Sequence, residues 1–364
     1  MYNWEHKDWA NFFYSEQIIS EYALKFAELS GVSLGLFNTL DNTKQQDEII
    51  GLMISEALKT SSIEGEMLSR EDLMSSIRMQ LGLEFTIKNL KDKRVKNIAQ
   101  LMVKVRENYA EKLSETMIKT WHKILFNESE YINAGVYRTG KEPMQVVSGA
   151  FGREKVHFKA PPSDSVVREM KQFIKWYNAF ETKNNIQKIM VKTAITHLYF
   201  ETIHPFEDGN GRIGRALIEK CLAESFGRQM ILSVSTAIES DKKNYYKELN
   251  KASKTLEINE WIVYFAKLLI EAQENAINVI RLSIRKTQFF DAHKKMLNSR
   301  QMKVLKKMFD KGAEEFKGGM TARKYISIAK TTKSTATRDL QELVKYNIFL
   351  QQGEGRSTHY VLNV

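Results

Sequence analysis

Twelve consecutive residues, HPFEDGNGRIGR at 204–215, hold a histidine, two adjacent carboxylates, a Gly-Asn-Gly turn and two arginines three apart. Each group suits one task in moving a phosphate-linked group. His204 can accept a proton near neutral pH. A carboxylate at Glu207 or Asp208 suits Mg²⁺, which takes one or two carboxylates and fills its shell with phosphate oxygens and water. Gly209, Asn210 and Gly211 stand where a following helix would begin. Amides at a helix N-terminus bind anions, and the approach is closest where no Cβ intervenes. Arg212 and Arg215 would share one face of that helix, and guanidinium forks match phosphate oxygens. Base, metal carboxylate, anion nest and paired cations are together the parts of phosphoryl or nucleotidyl transfer. Taken singly, Gly-Asn-Gly is an ordinary turn, paired arginines are a solvated face, and a histidine before proline is a core hydrogen-bonding group. Their order within twelve residues separates this stretch from those readings.

Helices must position these groups. Residues 45–60 carry Ile49, Ile50, Met53, Ile54, Ala57 and Leu58 near the helical period. Gly65 stops that helix, and Ser69 with Asp72 caps the next. Residues 89–110, 114–125, 165–180 and 185–203 read as further helices. The last of these leads into the twelve-residue stretch, and another helix runs over 210–226. More follow at 243–251 and 261–284. Between 133 and 164, glycines separate two β-prone pieces, 144–147 and 155–159, and Pro161–Pro162 ends a hairpin-like excursion. The expected fold class is mainly α. Of the 364 residues, 43% are apolar, 27% are charged and 4 are proline, which excludes a disordered or collagenous chain. A lone Cys221, read as a packed small residue, excludes an internal disulfide and a Cys-rich zinc site. No apolar run nears the ~18 residues of a membrane span, and the N-terminus lacks a basic region followed by an apolar stretch. A cytoplasmic protein without a membrane partner is expected.

HPFEDGNGRIGR meets every specified position of His-Pro-Phe-x-(Asp/Glu)-Gly-Asn-Gly-Arg-x-x-Arg, and so resembles the signature of Fic-domain proteins. The resemblance covers about residues 100–270. It implies a helical Fic core that transfers AMP from ATP, with Mg²⁺, to a Ser, Thr or Tyr hydroxyl of a target protein. GREKVHFKAPP at 152–162 resembles the family's β-hairpin flap, whose Val156, His157 and Phe158 would hold the target. By the same resemblance His204 would be the general base, Phe206 the loop anchor, and Asp208 rather than Glu207 the Mg²⁺ ligand. Gly209, Asn210 and Gly211 would form the phosphate nest, with Arg212 and Arg215 neutralising the β and γ phosphates. Relatives acting as kinases carry Lys where this chain has Gly211, which favours nucleotidyl transfer. Tyr245 and Tyr246 match the family's adenine-pocket tyrosines, whereas Ser253 replaces an asparagine of some relatives and leaves base selectivity open. Thr60-Ser-Ser-Ile-Glu64-Gly65 resembles the family's inhibitory pattern (Ser/Thr)-x-x-x-Glu-(Gly/Asn). A carboxylate at a helix C-terminus is disfavoured by the dipole and wants a cation. The resemblance supplies Arg215, a pairing within one chain that would occupy the space of the γ-phosphate. In some relatives the same glutamate supports removal of AMP.

The formal charge of +11 is not spread evenly. Residues 285–364 carry 17 Lys/Arg against 7 Asp/Glu, and the first 284 carry 38 against 37. A domain-confined excess points to a polyanionic partner. Helices at 300–311, 321–329 and 334–346, then strands at 348–352 and 358–362 around a Gly turn, give a winged helix-turn-helix order. Lys333, Ser334, Thr335, Thr337 and Arg338 would meet DNA at the start of the third helix, and Arg356 at the wing tip. A homodimer would suit such a reader of two half-sites. Three domains are expected: a helical extension with the inhibitory motif at 1–95, the catalytic core at 96–284 and a basic winged helix at 285–364. The alternative function is a DNA-binding regulator whose core senses nucleotide or is vestigial.

Overall fold

The computed structural model describes the chain apart from residues 85–91, 141–143, 149–154, 316–318 and 364. Among the described residues fourteen α-helices and two short hairpins divide between two units, Met1–Ile280 and Arg281–Val364.

The first unit begins with α1 (Ser20–Asn38), α2 (Asn42–Ile63), α3 (Arg70–Gln80), α4 (Lys93–Glu107) and α5 (Glu115–Leu125). Side-chain caps start several of these helices. Asp41 accepts from the Lys44 N–H, Ser69 from Asp72 as its sequence indicates, and Ser114 from Met117, each contact contributing about 1 kcal/mol. The antiparallel hairpin β1 (Gln145–Ser148) and β2 (Lys155–Lys159) follows, with Gln145 opposite Lys159 and Val146 opposite Phe158. Its first strand starts one residue later than the sequence suggests. Next come α6 (Val166–Ala179), α7 (Ile186–Ile203), α8 (Asn210–Phe226), α9 (Val234–Ser240), α10 (Lys242–Ala252) and α11 (Asn259–His293), whose residues from Arg281 onward belong to the second unit. The hydrophobic pattern predicts an end to the last helix near residue 284, but no Gly or Pro interrupts 285–293 and the helix continues.

At the centre stands α7, buried on every face from Ile189 to Ile203 and packed along α8. One apolar cluster joins Ile50, Met53, Ile54 and Ala57 of α2 to Trp121, Phe206, Ile213 and Leu217. Residues 1–95 therefore share a core with the helices that carry the motif, where the sequence suggested a separate extension. The apolar stripe of α2 drives this union, since it buries against α4 and α8 as well as against α3 of its own segment.

In the second unit, α12 (Ser299–Glu315), α13 (Ala322–Ala329) and α14 (Lys333–Lys345) precede a hairpin of β3 (Phe349–Gln352) and β4 (His359–Leu362). Val304, Leu305, Tyr325, Leu340, Leu343, Phe349 and Tyr360 form its core. Buried Asp339 ties the three helices together. It accepts from Arg300 Nε at 2.8 Å and from the Tyr325 hydroxyl at 3.0 Å. Of the residues expected to meet DNA, Lys333, Ser334, Thr337 and Arg338 are exposed and Thr335 is half-buried. The Arg356 side chain lies outside the described residues.

Candidate active site

Between α7 and α8 the chain must leave one helix and start another within six residues. Pro205 disfavours helical backbone at the residue before it, and His204 caps α7 in the left-handed region at φ 49°. Nearby bonds hold that uncommon conformation. His204 N–H reaches Phe200 O at 3.0 Å. Buried Arg138 donates to His204 O at 2.8 Å, Pro161 O at 2.6 Å and Ile203 O at 3.2 Å. Phe206 is fully buried and stacks on His122 with ring centroids 3.8 Å apart. Gly135 N–H donates to His122 Nδ1 at 2.8 Å, so Nε2 carries the proton and donates to Asp208 O at 3.1 Å. Asn210 closes the loop by bonding both the N–H and the carbonyl of Phe206 at 2.9 Å. Gly209 takes φ 77° against the Phe126 ring, where a Cβ has no room. The first backbone bond into α8 runs from Ile213 N–H to Gly209 O, so the amides before it have no carbonyl within the helix.

These groups face a cavity of about 740 Å³ lined by His204, Asp208, Gly209, Asn210, Gly211 and Arg215, together with Glu64, Glu201, Lys242, Tyr245 and Tyr246. Phe158 of the hairpin also lines it, its ring 6.4 Å from that of His204. The N-terminus braces this strand, since Trp4 Nε1 donates to Lys159 O at 2.8 Å and Tyr2 packs edge-on against Phe158. The side chains of Val156 and His157 lie outside the described residues. Tyr245 is buried with its hydroxyl 2.7 Å from His197 Nε2, while Tyr246 is partly exposed. Arg212, though in the motif, is not among the residues lining this cavity; it lines a smaller one.

Glu64 enters the cavity from the end of α2. Gly65 takes φ 84°, and the bonds Gly65 N–H to Ser62 O and Glu66 N–H to Ser61 O complete a Schellman turn. Glu64 Oε1 then accepts from Arg215 at 2.6 Å, and Thr60 binds the same guanidinium through its hydroxyl at 2.7 Å and its carbonyl at 3.1 Å. A Cβ on Gly211 would collide with Glu64 Oε1. The inhibitory stretch, the cradle and Arg215 thus meet across more than 140 residues of chain. Burial pushes the Glu64 carboxyl up, but Arg215, Arg212 and Lys242 more than offset this and leave it below the usual carboxylate range.

His204 Nδ1 lies 3.3 Å from Glu201 O, so Nδ1 carries the proton and Nε2 is left to accept one. Burial pushes this imidazole down to about 4, with those of His122 and His197 at about 4 and about 3. Burial raises the carboxyls of Glu201 and Glu219 to about 8 and about 7. Below the ordinary histidine value of 6.5 the unfolded chain takes up three protons that the folded histidines refuse. The two folded glutamates hold protons that the unfolded chain lacks above 4.5, which offsets part of that effect. Acid therefore destabilises on balance. Above pH 6.5 the two glutamates outweigh the fading contribution of the histidines, and stability declines as pH rises toward 8. The thermal midpoint is expected to peak near pH 6.5, checked by calorimetry from about pH 5 to 9. A steady rise to the alkaline end would contradict this.

Arg138, His122, Glu201, Lys242 and Glu66 were not assigned to the site from sequence. Glu201 alone had a local signal, three residues before His204 on the same helix. Cys221 is a packed residue as expected, held between Thr193 and Thr196.

A model of the Fic/DOC family matches residues 112–222, from before α5 through the loop and cradle to α8. The chain carries a Fic domain. Ahead of the Fic domain, a model described as a domain of unknown function (DUF4172) matches residues 2–83, which include Glu64. A protein of Aquifex aeolicus named "Probable protein adenylyltransferase" is 29% identical over 54% of this chain and 53% of its own length. A protein adenylyltransferase of Caenorhabditis elegans is 30% identical over 40% of this chain and 25% of its own. The chain thus spans about half the length of the first relative and a quarter of the second. The crystal structure of a Fic family protein from Desulfovibrio desulfuricans G20 covers 97% of this chain and 98% of its own, at TM-score 0.55 and 18% identity. That likeness establishes a mainly α Fic fold.

Proposed function

We propose that the chain transfers AMP from ATP to a hydroxyl side chain of a target protein and that its own Glu64 restrains the reaction. One observation carries this reading. The same cavity holds a neutral histidine, the N-terminal amides of α8, Arg215, the tyrosine pair and a hairpin side chain. His204 Nε2 would take the hydroxyl proton, the freed oxygen would bond to the α-phosphorus, and pyrophosphate would leave with the electron pair of the broken bond. Gly209, Asn210 and Gly211 would cradle phosphate. Arg212 and Arg215 would neutralise the β and γ phosphates once released from their carboxylates. Tyr245 and Tyr246 would wall the adenine, and Val156, His157 and Phe158 would hold the target segment.

Among the described residues no three His, Cys, Asp or Glu side chains gather as metal ligands. Asp208, more than half exposed beside the cradle, fits Mg²⁺, which draws its other ligands from phosphate oxygens and water. Bound there, the ion would supply positive charge to the phosphates. Glu64 stands close enough to Gly211 to direct a water at a phosphodiester, so removal of AMP belongs to the same proposal. A cytoplasmic setting, which supplies ATP and Mg²⁺, completes it; no described helix is long and apolar enough to cross a membrane. Incorporation of α-phosphate label into lysate protein by the Glu64→Gly variant tests the reading, and no incorporation would overturn it.

The second unit supports a further role, in line with the alternative of a regulator that binds DNA as a homodimer. Its charge excess and the exposed Lys333, Ser334, Thr337 and Arg338 at the start of α14 favour DNA phosphates as partners. Binding of the full chain to duplex DNA, followed by anisotropy, is expected to weaken steeply with salt. Arg338→Ala should reduce the log–log slope by about 1. Binding that ignores salt would contradict it.

A further inference from the structure

The turn that ends α2 carries two carboxylates to two motif arginines. Glu64 holds Arg215 at 2.6 Å, and Glu66 Oε1 accepts from Arg212 NH1 at 3.0 Å. Both contacts follow from one Schellman turn, in which Glu64 is the cap and Glu66 the second residue beyond it. Arg212 is buried, lies over the Phe126 ring at 5.1 Å, and has an Nε without a partner among the described residues. Its guanidinium lines the smaller cavity of about 260 Å³ together with Glu66, Phe126 and Asn97, whereas its chain neighbour Gly211 and Arg215 line the larger one. Asp208 Oδ1 at 3.6 Å adds a second, weaker anionic neighbour. In the resting protein both guanidiniums beside the cradle are thus committed to carboxylates of the same turn.

We infer that Glu66 sets how many phosphates the nucleotide cavity accepts, by holding Arg212 out of it. This rests on the proposal that the cavity takes an adenine nucleotide. A single phosphate can be met by the amides at the start of α8 and needs no guanidinium. A second phosphate lies beyond those amides, brings more negative charge and must recruit an arginine in competition with its carboxylate. The resting site therefore favours a nucleoside monophosphate, or a phosphodiester-linked AMP, over the di- and triphosphate. Glu64 and Glu66 act on successive parts of the same phosphate chain.

Glu66→Gln keeps the shape and removes the charge, and Glu66 is partly exposed, so the fold should survive. Calorimetric titration of the full chain with AMP, ADP and ATP reads the effect. Glu66→Gln is expected to tighten ADP and ATP by about tenfold, the scale of weakening one charge-assisted contact, and to leave AMP unchanged. Unchanged ADP affinity, or an equal gain for AMP, would overturn the inference. Tight ATP binding by Glu64→Gly alongside unchanged ADP binding by Glu66→Gln would overturn it while leaving the nucleotide reading intact. Failure of all three nucleotides to bind any of these proteins would overturn both.

Discussion

Replacing Glu64 with glycine is expected to tighten ATP binding about a hundredfold and to switch on AMP transfer. Arg215 is almost wholly buried and its carboxylate partner lies 2.6 Å away. Removing one member of such a pair leaves an uncompensated buried charge, a cost of about 3 kcal/mol or more. Thr60 keeps its two contacts to the guanidinium, which places the cost at the lower end of that scale. A triphosphate restores the missing anion, so most of the cost is recovered on binding, and 3 kcal/mol corresponds to about two decades of affinity. Two measurements check this together. The thermal midpoint of the variant without nucleotide should fall below that of the wild type. Added ATP should raise it by more than it raises the wild type. Equal responses of the two proteins to ATP would show that Glu64 does not compete with phosphate.

In that unrestrained background, His204→Ala is expected to lower kcat by about a thousandfold, within the range ascribed to general base catalysis, with ATP affinity little changed. His204 faces the hairpin side of the cavity, where Phe158 sits, and holds no cradle amide. The residue occupies left-handed backbone before a proline, a conformation that alanine adopts less readily than asparagine. His204→Asn is the companion variant that keeps this backbone preference and removes the base. Both should lose transfer alike. Survival of transfer in His204→Asn would assign the loss in the alanine variant to the loop's shape rather than to the missing base. Because burial holds the imidazole at about 4, the base is already unprotonated at neutral pH.

The twelve-residue stretch was legible because its geometry is local. A helix, a proline, a left-handed turn and a new helix follow from their order, and the groups they present are neighbours in sequence. Ser69 and Gly65 declared the ends of α3 and α2 in the same local way. The supports of the loop were not legible. Arg138 holds His204 and Pro161 through backbone carbonyls, which leave no pattern in side-chain types. His122 looked like an ordinary helix residue, yet its stacking on Phe206 fixes the floor of the cradle. Glu66 lay one residue beyond the recognised inhibitory pattern, 146 positions from the arginine it binds. The joining of residues 1–95 to the core was hidden because periodicity shows that α2 has an apolar face but not which helices cover it. The sequence also gave no sign that Lys220, midway along α8, is a fully buried ammonium donating to Tyr109 O at 3.0 Å.

AMP transfer at the cavity that Glu64 enters, as proposed, is open to direct measurement. Its most direct test compares ATP labelled at the α-phosphate with ATP labelled at the γ-phosphate, given with Mg²⁺ to the Glu64→Gly chain in whole lysate. The α label is expected to become protein-bound, the γ label to leave as pyrophosphate, and His204→Ala to abolish the signal. Protein labelled from the γ position, or from neither, would contradict the account.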